Sequence, residues 1–135
     1  MRLFDEESRK NIQPAQALHL TLPWPSRLLS PNARGHWAKV AKAKRDFRAA
    51  CAWTAKAQGA MPLQASSLHV GLVFVPPSRR AFDLDNALAS MKSGLDGLAD
   101  VLQVDDSRWS FSIAKAPHGQ IGGLVKVTVS VSSNE

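Results

Sequence analysis

Val125, Val127, Val129 and Val131 alternate with Lys126, Thr128, Ser130 and Ser132. Successive side chains of a strand point to opposite faces, so this run makes a strand with one dry face and one wet face. Leu18, Leu20 and Leu22 alternate with His19 and Thr21 in the same way, and Trp109, Phe111 and Ile113 alternate with Ser110 and Ser112. Residues 68–75 are apolar on both faces toward their end, which suits a central strand. A sheet with one dry face needs a helical cover. Two helical patterns supply it. A basic helix spans about Gly35 to Ala57, with Trp37, Val40, Ala41, Phe47, Ala50 and Cys51 roughly on one stripe. A second helix runs from about Asp85 to Leu102, with Leu84, Leu88, Met91, Leu95, Leu98 and Leu102 recurring at steps of four and three. The order is β-α-β-α-β-β. The expected fold is α+β and two-layered, with an about four-stranded mixed sheet and two main helices.

Punctuation supports these bounds. Pro23-Trp24-Pro25-Ser26 stops the first strand, Gly59 and Pro62 end the basic helix, and Pro76-Pro77 closes the second strand. A loop rich in Gly and Pro, about Ala116 to Gly123, joins the last two strands. Residues 1–15 are polar and mixed in charge and read as a flexible N-terminal extension to a domain over residues 16–133. The chain has 135 residues, enough for one modest core. No apolar run approaches the roughly 20 residues of a membrane span. Asp5, Glu6 and Glu7 stand where a signal peptide would be apolar. The single cysteine, Cys51, forms no internal disulfide, reads as a small core residue and fits the reducing cytoplasm. His19, His36, His69 and His118 are scattered without zinc-site spacing, and no phosphate-binding loop for a nucleotide cofactor is present.

Net charge is +6, which favours an anionic polymer as partner. Against that background Asp83, Asp85, Asp96, Asp105 and Asp106 fall close together, with Lys92 among them. Clustered carboxylates repel, and a hard cation with a taste for oxygen relieves the repulsion. Asp83 and Asp85 point the same way in extended chain. Asp85 or Asn86 also sits where a helix N-cap belongs, so capping explains one of the two acids. From Asp85, steps of seven and eleven residues return to within about 20° of the same helical face. Lys92 and Asp96 therefore share the Asp85 side, and Lys92 and Asp96 are also spaced for a surface ion pair. Asp105-Asp106-Ser107 suits a turn. A third strand beside the second would bring that turn near Asp83.

The ordered set resembles the RusA family of Holliday junction resolvases, common in prophages. Leu22-Pro23-Trp24-Pro25-Ser26 is similar to the family's N-terminal strand end, Asp83-Leu84-Asp85-Asn86 to its Asp-Leu-Asp-Asn motif, Lys92 with Leu95-Asp96-Gly97-Leu98 to its lysine helix, and Val104-Asp105-Asp106-Ser107 to its Asp-Asp turn. Two departures stand out. Ala89 occupies the position nearer to Asp85 where the family's lysine falls, and Phe82 replaces an arginine that often precedes the first Asp, with Arg79 and Arg80 close by. The resemblance implies a homodimeric, magnesium-dependent endonuclease that nicks four-way DNA junctions symmetrically in recombination and repair. It places Mg2+ on Asp83, Asp85 and Asp106 and catalysis on these acids and Lys92.

DNA phosphates would lie on Arg34, Lys39, Lys42, Lys44, Arg45 and Arg48 of the basic helix and its approach, and on Arg79 and Arg80. Lys56 adds a further positive charge to that helix, and Asp46 is its one acid. Trp24, Trp37 and Trp53 are candidates to stack on unpaired bases, whereas Trp109 belongs to the core. Two rivals compete with the nuclease reading. One is a non-catalytic DNA-binding phage protein in which Asp83 and Asp85 serve for capping. The other is a magnesium phosphohydrolase with a different substrate, which would need a phosphate loop or a larger sheet.

Overall fold

The computed structural model describes residues 17–132. The expected N-terminal extension lies outside the described residues. Four strands form one sheet: β1 (Ala17–Pro23), β2 (Leu68–Val75), β3 (Trp109–Lys115) and β4 (Leu124–Val131). Their order is β1-β4-β2-β3. β4 runs antiparallel to both β1 and β2, with Leu22 opposite Val125 and Val70 opposite Val129. β2 and β3 are parallel, with Leu68 beside Trp109 and Phe74 beside Lys115. Three helices complete the domain: α1 (Trp37–Ala57), α2 (Leu84–Ser90) and α3 (Lys92–Leu102). The protein is a small α+β domain with a mixed four-stranded sheet and three helices. No helix among the described residues is long and apolar enough to cross a membrane.

The alternating patterns translate directly into burial. Leu20, Leu22, Val125, Val127 and Val129 lie under the helices, as do Leu68, Val70, Leu72 and Phe74 of the central strand. The edge strand is less covered. Trp109 is buried and donates its indole N–H to the Val104 carbonyl at 2.9 Å, while Phe111 on the same face is 40% exposed.

The anticipated second helix is two helices, so the order is β-α-β-α-α-β-β rather than β-α-β-α-β-β. Ser90 is the physical reason. Its hydroxyl donates to the Asn86 carbonyl at 2.8 Å, a back-bond that bends helices. Met91 then sits at φ −86°, ψ −5°, outside ideal helix geometry, and its N–H bonds to Leu88 and Ala89. The leucine stripe survives the break, because Met91, Leu95, Leu98 and Leu102 are all buried. On α1 the stripe differs from expectation. Phe47, Cys51 and Ala55 are buried, whereas Ala50 faces solvent and Trp37 is 76% exposed.

Two glycines set the distance between α1 and α3. A methyl group at Gly97 would overlap the Arg48 carbonyl oxygen. One at Gly94 would press on the Phe47 ring and the Cys51 sulfur. Backbone cannot yield as a side chain can. Gly97→Ala is therefore expected to destabilise the fold by about 3 kcal/mol or more, and Gly94→Ala by about 1–2 kcal/mol. Thermal unfolding of the two variants checks the ranking, and equal midpoints would contradict the backbone contact.

Candidate functional site

The acidic segment hangs from an aromatic anchor. β2 leaves the sheet through Pro76-Pro77, and Phe82 packs edge-on against Trp24, with ring centroids 5.5 Å apart. Trp24 also meets Phe74 edge-on at 5.9 Å, so its half-buried ring is part of this cluster. Lys115 lies over Phe82, its Nζ 4.7 Å from the ring centroid. The next residue, Asp83, is thereby held at the start of α2. It is the N-cap, where sequence pointed to Asp85 or Asn86: its Oδ1 accepts from the Asp85 N–H at 3.2 Å. Asp85 stands exposed in the first turn. Neither carboxylate forms an ion pair among the described residues.

Lys92 opens α3 and organises the other acids. Its Nζ donates to Asp96 Oδ1 at 2.9 Å and to Asp106 Oδ2 at 2.9 Å. The expected Lys92–Asp96 pair is thus part of a three-residue bridge. The hydrogen bonds to Asp106 and then Asp96 hold the Lys92 ammonium above the usual lysine range. Gln103 ends α3 in a left-handed turn at φ 58°. Asp105 then caps the short 3-10 turn Asp106–Arg108, and the Ser107 hydroxyl and N–H lower its carboxyl below the usual range.

The structure gathers Lys92, Asp96 and Asp106, and leaves Asp83 and Asp85 as a separate pair. Among the described residues no group of three or more His, Cys, Asp or Glu could hold a metal ion. Topology accounts for the separation. Parallel pairing sets the start of β3 beside the start of β2, so Asp106 enters at the end opposite to the one where β2 leaves toward Asp83. Asp83, Asp85 and Asp106 as arranged do not form one ligand shell. Asp83 and Asp85 alone do suit magnesium by donor chemistry, since that ion commonly takes one or two carboxylates and fills its other positions with water and substrate phosphate.

The basic surface is partly compensated. Arg48 grips Asp100 with two hydrogen bonds of 2.8 Å, which raises the guanidinium further and lowers the Asp100 carboxyl. Lys42 pairs with Asp46 at 2.7 Å. Arg34, Lys39, Lys44, Arg45, Arg79 and Arg80 are exposed and form no ion pair among the described residues. Trp37 and Trp53 are exposed on α1. Reasoning from sequence missed Lys115. Only the β2–β3 register, with Phe74 beside Lys115, brings that lysine to the Phe82 end of the sheet.

No family model matches the chain. An uncharacterized protein of Xylella fastidiosa is 42% identical over 98 residues, covering 70% of this chain. The chain spans 63% of that relative's length.

The Lys92 bridge has a pH signature. Its folded pKa lies above the ordinary 10.5, so its stabilisation is complete below that pH and is lost as pH rises through the folded value. Asp106→Asn removes the larger cause. The Lys92 side chain should then titrate at a lower pH in a 13C NMR titration, and an unmoved titration would deny the bridge.

Proposed function

We propose that the protein is a magnesium-dependent endodeoxyribonuclease of RusA type that acts on branched DNA, four-way junctions above all. The observation that carries this reading is the Lys92–Asp106 hydrogen bond at 2.9 Å. It joins two pieces of the motif that stand 14 residues apart and that the resemblance assigns to one site. The bridge is exposed, and two acids share its one ammonium at the bend between α2 and α3. Asp83, Asp85 and the exposed cations add the remaining parts of the reading.

The residues divide the work as follows. Asp83 and Asp85 would hold magnesium, which when bound supplies Lewis acidity and a more acidic water. The Asp83 cap fixes the direction of that carboxylate before substrate arrives. Lys92, held on the Asp106 side and apart from the Asp83–Asp85 pair, would set its positive charge against a neighbouring phosphate of the strand. Asp96 and Asp106 hold the ammonium protonated and in place. Arg34, Lys39, Lys44 and Arg45 meet the DNA backbone. Two cuts on strands of like polarity need two sites related by a two-fold axis, so the reading includes a homodimer.

One observation favours a second reading. Asp83 is used as a cap, and the three family acids do not share a shell. A non-catalytic DNA-binding protein of the same fold would keep both features. A cleavage assay on a synthetic four-way junction, with and without magnesium and with a linear duplex control, separates the two. Asp85→Asn is expected to keep junction affinity and to lose cleavage by about two orders of magnitude or more. Cutting by that variant at the native rate would remove Asp85 from the chemistry. Absence of cutting by the native protein at every magnesium concentration would leave the second reading.

A further inference from the structure

A cavity of about 630 Å³ opens between the loop that follows β2 and the loop that follows β3. Both loops start from the same end of the sheet because β2 and β3 are parallel. Arg79, Arg80, Lys115 and His118 contribute to its wall, and no carboxylate does. The three permanent cations form no ion pair among the described residues. Phe82, Pro117 and Ile121 give the same cavity an apolar side. Ile121 is 49% exposed, an aliphatic side chain held in solvent at the rim of a polar loop.

We propose that this cavity binds one unpaired nucleotide of a nucleic-acid strand, its phosphate on Arg79, Arg80 and Lys115 and its base against Phe82, Pro117 and Ile121. The ligand has to be anionic, because like charges gathered without a counter-charge are relieved only by an anion. It also has to carry an apolar surface, because an inorganic anion leaves Phe82 and Ile121 unused. A nucleotide meets both demands, and the volume lies in the range of small-molecule sites, about 300–1,000 Å³. A base inside a duplex stack cannot enter a concave site. One that is splayed out or single-stranded can, and base stacking is indifferent to sequence. The convex surface of α1 is the better seat for duplex phosphates.

The walls are built in advance. The Ala116 N–H donates to the Phe74 carbonyl at 2.9 Å, and the Gly122 and Gly123 N–H groups donate to Pro76 at 2.8 and 3.1 Å. Gly123 takes φ +73° to make that turn, a conformation other residues rarely adopt. Lys115 is held over the Phe82 ring at 4.7 Å instead of ranging through solvent. Ordering costs on binding are correspondingly small. Phe82 belongs to this wall and Asp83 is its chain neighbour. The seat therefore refines the junction reading: the nucleotide beside the cleaved bond would be pulled from its stack and anchored here. That placement rests on the proposed function, whereas binding itself needs no metal.

The test is fluorescence anisotropy of a dye-labelled oligothymidylate and of a labelled linear duplex, both in EDTA. The native protein is compared with Lys115→Gln, Arg80→Gln, Ile121→Ser and, as a control on α1, Lys39→Gln. Thermal melts confirm folding, which these exposed positions leave intact. Lys115→Gln and Arg80→Gln should each weaken oligothymidylate binding at least fivefold and reduce its salt slope by about one. Ile121→Ser should weaken the oligothymidylate and spare the duplex, while Lys39→Gln should do the reverse. Native-like oligothymidylate binding by the cavity variants would overturn the proposal. So would equal losses for duplex and single strand, or competition by polyglutamate as strong as by unlabelled oligothymidylate. Binding is read in EDTA, where no metal-dependent cleavage occurs, so failure of the nuclease reading and failure of this one are seen separately.

Discussion

The parallel pairing of β2 with β3 governs this molecule. Antiparallel neighbours can be joined by a tight turn, but parallel ones need a crossover long enough to carry the chain back. Here that crossover contains α2 and α3, and it holds Asp83, Asp85, Lys92, Asp96 and Asp106. β2 is also flanked on its other side by β4, so it is paired on both edges and buried on its helical face. The crossover is thus fixed to the most rigid part of the sheet. Two consequences follow from the same pairing. The loops after β2 and β3 converge at one end and shape the cationic cavity. The turn holding Asp106 begins at the other end, away from Asp83.

Charge is arranged in layers around this frame. The chain carries a net +6, yet its acids are not scattered. Asp46 and Asp100 neutralise Lys42 and Arg48 of α1. Asp96 and Asp106 share Lys92. These pairs are exposed, so each adds little to stability. They leave two groups of unpaired cations among the described residues, Arg34, Lys39, Lys44 and Arg45 on and before α1 and Arg79, Arg80 and Lys115 around the cavity. A divalent ion that approached Asp106 would compete with the Lys92 ammonium for the same carboxylate. Asp83 and Asp85 present no such competitor.

Much of the sheet was legible because alternation is a local signal. Four valines in β4 and the doubly apolar run of β2 dictate faces without reference to anything distant. The helix break was less legible. Nothing in the spacing of Leu84, Leu88, Met91 and Leu95 reports that Ser90 turns its hydroxyl onto Asn86. Phase counting from Asp85 assumed one continuous helix and therefore carried across the bend at Met91. Within α3 the same arithmetic placed Lys92 against Asp96. The close approach at Gly97 was silent too, since a glycine in a helical pattern announces only lost propensity, and its use depends on where α1 passes. Lys115 shows the same limit: a lysine at a strand end is ordinary until register sets it over Phe82.

The dual character of Asp83 bears on how the acidic segment is read. Capping and metal binding are usually weighed as alternatives, but a carboxylate has two oxygens and about four lone-pair sites. The Asp85 N–H engages Oδ1. That hydrogen bond fixes the side chain's direction, which a metal ligand needs. It does not require a second acid at Asp85, whose side chain makes no contribution to the cap. Capping therefore accounts for the backbone geometry and for one carboxylate, and the helix N-terminus favours the negative charge of the other. Two exposed carboxylates two residues apart repel each other whether or not one of them caps. A reading that gives Asp85 a cation to bind relieves that repulsion, and the capping reading alone does not.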